Sequence, residues 1–158
     1  LAHDGAPDNL AAELNVKYGD IDEVFANADH HLNTRFMQHR GGCHAMECRG
    51  VVGVHDPREN ELTIWSATQC PYLIRRALAK QFDLPEENLR LIAPDVGGSF
   101  GLKIHTFGDE IAAVAASIKL ARPVKFIADR MESFFSDIHA REHLISARMA
   151  VSREGGGD

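Results

Sequence analysis

The residues with the plainest chemical potential stand together in Pro94-Asp95-Val96-Gly97-Gly98-Ser99-Phe100-Gly101-Leu102-Lys103. Three glycines and an exposed-looking Phe follow directly on the apolar run Leu89 to Ala93, which reads as a strand. Without a Cβ, glycine lets the backbone take positive φ and come close to a bound group. Successive N–H groups in such a turn can converge on anionic oxygens. Gly97, Gly98, Ser99, Phe100 and Gly101 therefore form a candidate cradle for a cofactor or an anion. The competing reading is a tight strand-to-helix connection that needs glycine only for its turn. The spacing matches neither the G-x-G-x-x-G of a dinucleotide fold nor the Gly-Lys-Ser/Thr of a Walker A loop. A hydrolase centred on Ser99 would need a His and an acid brought to it, and the G-x-S-x-G elbow is absent.

Other residues carry weaker chemistry. Gln69 closes a run read as a strand, just before a helix opening at Pro71, where its side chain is placed to cap that helix. Glu47 and Arg49 lie two apart on an expected strand, so they share a face and read as a structural ion pair. His139 and His143 are four apart, which on a helix is metal-ligand spacing. No Glu accompanies them as H-E-x-x-H requires, and a metal site there is not expected. His30, His31, His39 and His44 read as surface or loop residues. Cys43, Cys48 and Cys70 cannot all pair, and no C-x-x-C occurs, so zinc and ferredoxin-type clusters lack a basis. Reduced thiols in a cytoplasmic protein are expected, with the periplasm left open because the chain opens at Leu1 without Met.

Several ordered segments resemble one family. The glycine loop is similar to the Val-Gly-Gly-Gly-Phe-Gly-Gly-Lys loop of the molybdenum hydroxylases, the family of xanthine dehydrogenase, aldehyde oxidase and aerobic carbon monoxide dehydrogenase. Ala45-Met46-Glu47-Cys48-Arg49-Gly50 resembles its Met-Glu-Pro-Arg segment, and Ser66-Ala67-Thr68-Gln69-Cys70-Pro71 its Ser-Thr-Gln-Asn-Pro segment. Ala121-Arg122-Pro123-Val124-Lys125 and Asp129-Arg130-Met131-Glu132 resemble its Gly-Arg-Pro-Val-Lys and Asp-Arg-x-Glu signatures, and His139-Ala140-Arg141-Glu142-His143 a further strand entry. The set covers nearly the whole chain.

The resemblance implies a fragment of a molybdopterin-binding large subunit. It implies oxidative hydroxylation of an aldehyde, an N-heterocycle or a similar small molecule, with water as the oxygen source. Molybdenum-molybdopterin, in a dinucleotide form or not, is the implied cofactor. Iron–sulfur clusters and FAD are expected on other domains or subunits, which with the remainder of the large subunit would be the partners. It assigns Gln69 a hydrogen bond to an oxygen ligand of the metal, and Gly98, Ser99, Phe100 and Gly101 a backbone approach to metal and pterin. Glu47 and Arg49 gain a second reading as a polar pair near the cofactor mouth. The family's Glu general base lies downstream of these residues, so the isolated chain is expected to be inactive. Ser99 and Leu102 stand where the family carries Gly, Cys48 where it carries Pro, and Cys70 where it often carries Asn. Ile104 stands where xanthine dehydrogenases carry a Glu that touches the purine, so another substrate is expected. These departures leave an alternative, a non-catalytic α/β module with a degenerate loop used in folding or assembly.

The elements that must position these residues read as α+β, a mixed sheet with packed helices in a single domain over 1–158. The alternation of Ala11 to Lys17 predicts a strand, and Asp20 to Glu23 starts a short helix through Ala28. His30 to His39 is extended, with Phe36 expected in the core, and Gly41-Gly42 interrupts it. Met46 to His55 and Glu61 to Ala67 form a hairpin about Asp56-Pro57-Arg58-Glu59-Asn60. Pro71 opens a helix through Phe82, and Asp109 to Leu120 is another. Val124 to Ala128 reads as a short buried strand, Met131 to Phe135 as one helical turn, and His143 to Val151 as a last strand. If the strands before Gln69 and before the glycine loop are neighbours, both loops share one sheet edge, the favoured place for a ligand in α/β layers.

Composition bounds the rest. With 44% hydrophobic and 25% charged residues the chain is an ordinary globular one. A net charge of −6 gives a nucleic-acid partner no electrostatic support. No apolar run approaches the roughly 20 residues that span a bilayer. There is no internal repeat, and Gly155-Gly156-Gly157 is the only low-complexity stretch.

Overall fold

Apolar residues at every second position of the expected hairpin form its inner face. In the computed structural model, which describes residues 1–155, β2 (Gly50–Asp56) pairs antiparallel with β3 (Glu61–Ser66). Val51, Leu62 and Ile64 are buried on one side, and full burial of each such side chain contributes roughly 2 kcal/mol. The turn at 56–60 closes through Asn60 at φ 54°, an Asn in the left-handed region that Asn tolerates best among residues with a Cβ. Of the terminal glycine run, Gly156 and Gly157 lie outside the described residues.

Chain contacts divide the molecule into two compact units, Leu1–Gln38 with His143–Asp158, and His39–Glu142. The first holds α1 (Ile21–Asn27) and most of the paired strands β1 (His30–Gly42) and β6 (His139–Val151). Asp20 caps α1 by accepting the Glu23 N–H, as the sequence suggests. The strand expected over Ala11 to Lys17 is irregular chain instead; its alternating Leu14 and Val16 are both exposed, since among the described residues no strand pairs with them. Phe36 is 56% exposed rather than core, because β1 and β6 form a two-stranded sheet with little to cover it. β1 also runs through Gly41-Gly42 without interruption. β6 begins at His139, four residues early, and passes through Arg141 and Glu142 at positive φ.

The second unit carries a four-stranded sheet in the order β4-β3-β2-β5. β4 (Leu89–Ile92) runs parallel to β3, with Trp65 opposite Ile92, and β5 (Val124–Ile127) runs antiparallel to β2. Parallel neighbours need a crossover, and α2 (Pro71–Gln81) supplies it, with Pro71 in its first turn and Ile74, Leu78 and Ala79 buried. α3 (Gly108–Leu120) lies across β2 and β5. It comes so close that a Cβ at Gly53 would sit 2.8 Å from Ser117 Oγ and 3.3 Å from Val114 Cα. β5 is an edge strand with Lys125 and Ile127 exposed, so the expectation of a buried strand fails there. β2 starts at Gly50, later than the expected Met46, because other bonds hold residues 43–49 as a loop.

The Asp129-Arg130-Met131-Glu132 motif has a local physical meaning. It is a capping box that opens α4 (Arg130–Ser136): Asp129 Oδ1 accepts the Glu132 N–H at 2.7 Å, and Glu132 Oε2 accepts the Asp129 N–H at 2.8 Å. Arg130 then donates to the carbonyls of Ala45 and Met46, tying the 43–49 loop to the helix.

Candidate functional site

The parallel pairing of β3 and β4 puts their C-terminal ends side by side, and the two loops that leave those ends meet. Thr68 fixes the first loop. Its Oγ1 donates to the Lys103 carbonyl at 2.8 Å and accepts the Cys70 N–H at 3.1 Å, and the Gln69 N–H also donates to Lys103 O. Gln69 thereby emerges exposed beside the glycine loop. It does not cap α2, which opens at Cys70 without a side-chain cap.

The Gln69 carboxamide oxygen is committed to the loop. It accepts from the Ser99 hydroxyl and, at 3.0 Å, from the Gly101 N–H. Among the described residues none accepts from its amide NH2, which is left to donate outward without adding charge. Ser99 Oγ also accepts the Lys103 N–H at 2.9 Å. The Ser99 hydroxyl is therefore engaged by an amide oxygen and a backbone N–H, neither of which is a general base, and the hydrolase reading has no support. The Ser that replaces a glycine is built into the loop, and Leu102 is buried.

The loop backbone has the geometry expected of a cradle. Gly98 and Gly101 take φ of 95° and 93°, and Phe100 takes 55°. For a bulky residue this is a strained conformation, costing roughly 1–3 kcal/mol. The Phe100 side chain is 75% exposed, and its ring lies over Gly98, where a Cβ would come within 3.0 Å of Cε2. Among the described residues none accepts from the N–H groups of Gly98, Ser99 or Phe100. Three successive unpartnered donors, with a free carboxamide NH2 nearby, form a donor-only, uncharged lining suited to oxygen or sulfur ligands of an anionic cofactor.

Two ion-pair systems, neither of the expected composition, flank the 43–49 segment, and the first of them holds the glycine loop. Glu47 and Arg49 do not pair with each other. They precede β2, and each turns to a different partner. Glu47 Oε2 accepts from Lys103 Nζ at 2.6 Å and from the Gly97 N–H at 2.9 Å. The hydrogen bond from Lys103 holds the Glu47 carboxyl below its usual range. Arg49, 1% exposed, donates through Nη1 and Nη2 to both oxygens of Asp109 at 2.7 Å, and through Nε to Asp137 at 2.7 Å. Its guanidinium lies 3.9 Å from the Phe107 ring centroid. Burial opposes the Arg49 charge, but bonds to Asp109 and Asp137 outweigh it and raise its pKa. The same bonds, first among the causes, hold Asp109 low.

Glu110, 3.7 Å from Arg49, behaves oppositely. Burial, aided by the neighbouring Asp109 charge and opposed by Arg49, pushes its pKa from 4.5 to about 7. The folded state thus binds a proton that the unfolded chain has already released between those values. The stabilisation from that proton is complete below about pH 4.5 and is lost as pH rises through about 7, a swing of about 3 kcal/mol. Glu110→Gln mimics the protonated form. It is expected to match the parent near pH 4 and to unfold at higher urea at pH 8; equal midpoints at pH 8 would contradict the assignment.

His139 and His143 both lie in β6, not on a helix, and no group of three or more potential metal ligands occurs among the described residues. His30, His31, His39 and His44 are exposed, as expected. Cys43, Cys48 and Cys70 are free thiols. Lys103 and Thr68 were not singled out from sequence. The available signal was a Lys set between the apolar Leu102 and Ile104 at the end of a glycine loop.

The β3-α2-β4 crossover of an α+β unit thus brings a Gln-bearing turn against a glycine loop, and the class of this unit follows from its likeness to known proteins. The family model for the molybdopterin cofactor-binding domain matches residues 2–156. The nicotine 6-hydroxylase large subunit of Paenarthrobacter nicotinovorans is 33% identical over 98% of this chain and 19% of its own length. The carbon monoxide dehydrogenase large chain of Afipia carboxidovorans is 35% identical over 90% and 18%. The solved carbon monoxide dehydrogenase of Oligotropha carboxidovorans superposes with a TM-score of 0.76 at 35% identity, over 85% of this chain and 17% of that one. The chain belongs to the molybdopterin cofactor-binding domain family of the molybdenum hydroxylases. It spans about a fifth of the length of the curated relatives it matches.

Proposed function

We propose that this chain supplies one wall of the molybdopterin site in the large subunit of a molybdenum-dependent oxidoreductase, and that Gln69 with Gly97, Gly98, Ser99, Phe100 and Gly101 forms that wall. The carrying observation is the carboxamide of Gln69, with its oxygen tied into the loop and its NH2 without a partner among the described residues, beside three backbone N–H groups that likewise have none among them. The residues fit the group. The cradle is free of charge, and its two left-handed glycines let the backbone approach closely. When bound, the molybdenum-pterin supplies the redox chemistry of hydroxylation with water as the oxygen source. The chain's part is to bind and orient. Gln69 Nε2 would donate to an oxygen on the cofactor, the N–H groups of Gly98, Ser99 and Phe100 would donate to its anionic edge, and Phe100 would shield the mouth. Such preset donors do not reorganise during reaction.

Oxidation of an aldehyde, an N-heterocycle or a similar small molecule is the proposed activity of the whole enzyme, with iron–sulfur and flavin groups on other domains or subunits and a cytoplasmic location. Ile104 at the end of the loop favours a substrate other than a purine. Both units of the chain are proposed to belong to one cofactor-binding domain, inactive by itself. Exposure of Leu32, Phe36, Leu144 and Met149 on the first unit supports a role inside a larger subunit. The alternative, a non-catalytic module with a degenerate loop, predicts no cofactor in any form; the hydrogen bonds of Ser99 and the burial of Leu102 within the loop support the cofactor-wall reading over it. Molybdenum and oxidised-pterin content of the chain, measured beside the complete large subunit, tests the proposal. Cofactor in the complete form only is expected; cofactor in neither would overturn it.

A further inference from the structure

The loop from Gly97 to Lys103 has one feature that its proposed role does not explain: both of its ends are held by a single oxygen atom. Glu47 Oε2 accepts the N–H of Gly97, the first residue, and the ammonium of Lys103, the last. The Glu47 N–H in turn donates to Gly97 O at 3.2 Å, so Glu47 and Gly97 are bonded in both directions. The approach admits no side chain at position 97, where a Cβ would lie 2.6 Å from Glu47 Cβ. Lys103 is 2% exposed, and no solvent contact substitutes for its partner. Its own N–H and carbonyl are taken by Ser99 Oγ and by Thr68 and Gln69.

We infer that Glu47 is a positioning residue, whose carboxylate closes the 97–103 loop into a ring and so sets the direction of the Gly98, Ser99 and Phe100 N–H groups toward the cofactor. The inference rests on the cofactor-wall reading above. The carboxylate serves two separable ends. Its charge neutralises the buried Lys103 ammonium, which concerns stability. Its oxygen accepts the Gly97 N–H, which concerns aim. A substitution that removes both charges together, and either keeps or discards the acceptor, distinguishes the two.

The test compares two double variants in the complete, assembled enzyme. Glu47→Gln with Lys103→Met removes the charge pair and keeps an amide oxygen for Gly97. Glu47→Leu with Lys103→Met removes the pair and the acceptor. Neither leaves an ammonium buried alone, the arrangement that most endangers folding, and thermal unfolding confirms the fold of each. Molybdenum and oxidised pterin retained after extended dialysis are then measured per protein. The Glu47→Gln, Lys103→Met enzyme is expected to hold cofactor near the parent level, and the Glu47→Leu, Lys103→Met enzyme about tenfold less. Equal retention in the two, whether high or low, overturns the assignment. A parent enzyme that carries no molybdenum or pterin refutes the cofactor-wall reading itself and removes the inference with it, an outcome visible before either variant is made.

Discussion

Arg49→Met is expected to lower unfolding free energy by about 3–5 kcal/mol, the cost of leaving a buried ionic cluster without its partner. The guanidinium is enclosed by Asp109, Asp137, Ser136 and the Phe107 ring, with four hydrogen bonds of 2.7 to 2.8 Å. Removing it leaves the carboxylates of Asp109 and Asp137 without their cation. It also unties three segments at once: the turn into β2, the first turn of α3, and the end of α4. Arg49→Lys is expected to recover only a minor part, because one ammonium cannot make two parallel bonds to Asp109 and a third to Asp137. Urea unfolding at pH 7 measures both. A loss under about 1 kcal/mol for Met would mean that the cluster has little net effect.

The second large effect is catalytic. Gln69→Ala in the complete enzyme is expected to reduce kcat by about 10²–10³-fold, the usual consequence of deleting a preset donor at a site of developing charge. The fold is expected to remain, with stability within about 1 kcal/mol of the parent. Gln69 is exposed, and α2 does not depend on it for a cap. Loss of the Ser99 and Gly101 bonds loosens the loop, so cofactor content is assayed with turnover. An unchanged kcat at full molybdenum loading would show that the carboxamide has no part in the reaction.

Opposing acid–base effects shape the pH profile of stability. Glu47 and Asp109, held below their ordinary range by Lys103 and Arg49, contribute stability above that range and lose it as pH falls. Glu110 works in the other direction, losing its contribution as pH rises toward about 7. The three together predict a maximum on the acid side of neutrality.

The meeting of Gln69 with the glycine loop was legible because it follows from local signals. An apolar run, a Pro-opened helix and a second apolar run put both loops at one sheet edge if the two strands are neighbours, and the parallel pairing of β3 and β4 makes them so. The hairpin and its turn were legible for the same reason. The long-range ion pairs were not. Arg49 finds Asp109 and Asp137 at separations of 60 and 88 residues, and Lys103 finds Glu47 at 56. Such contacts have no sequence period, and closeness in sequence misled instead, suggesting that Glu47 and Arg49 pair with each other. Alternation misled at Leu14 and Val16 as well, since a strand pattern stays a strand only where a neighbour supplies the ladder. Two family-like motifs gained meaning only in three dimensions: Asp129 to Glu132 as a capping box whose Arg130 holds the 43–49 loop, and Ser99 as the link from Gln69 to Lys103.

The central claim is spatial, that Gln69 and the Gly97 to Gly101 backbone line the metal-pterin site. Anomalous diffraction at the molybdenum edge from crystals of the cofactor-loaded large subunit tests it most directly. A single strong peak facing the Gln69 amide and the N–H groups of Gly98, Ser99 and Phe100 is the predicted result. A molybdenum peak elsewhere in the subunit, with this loop facing only solvent or another domain, would contradict it.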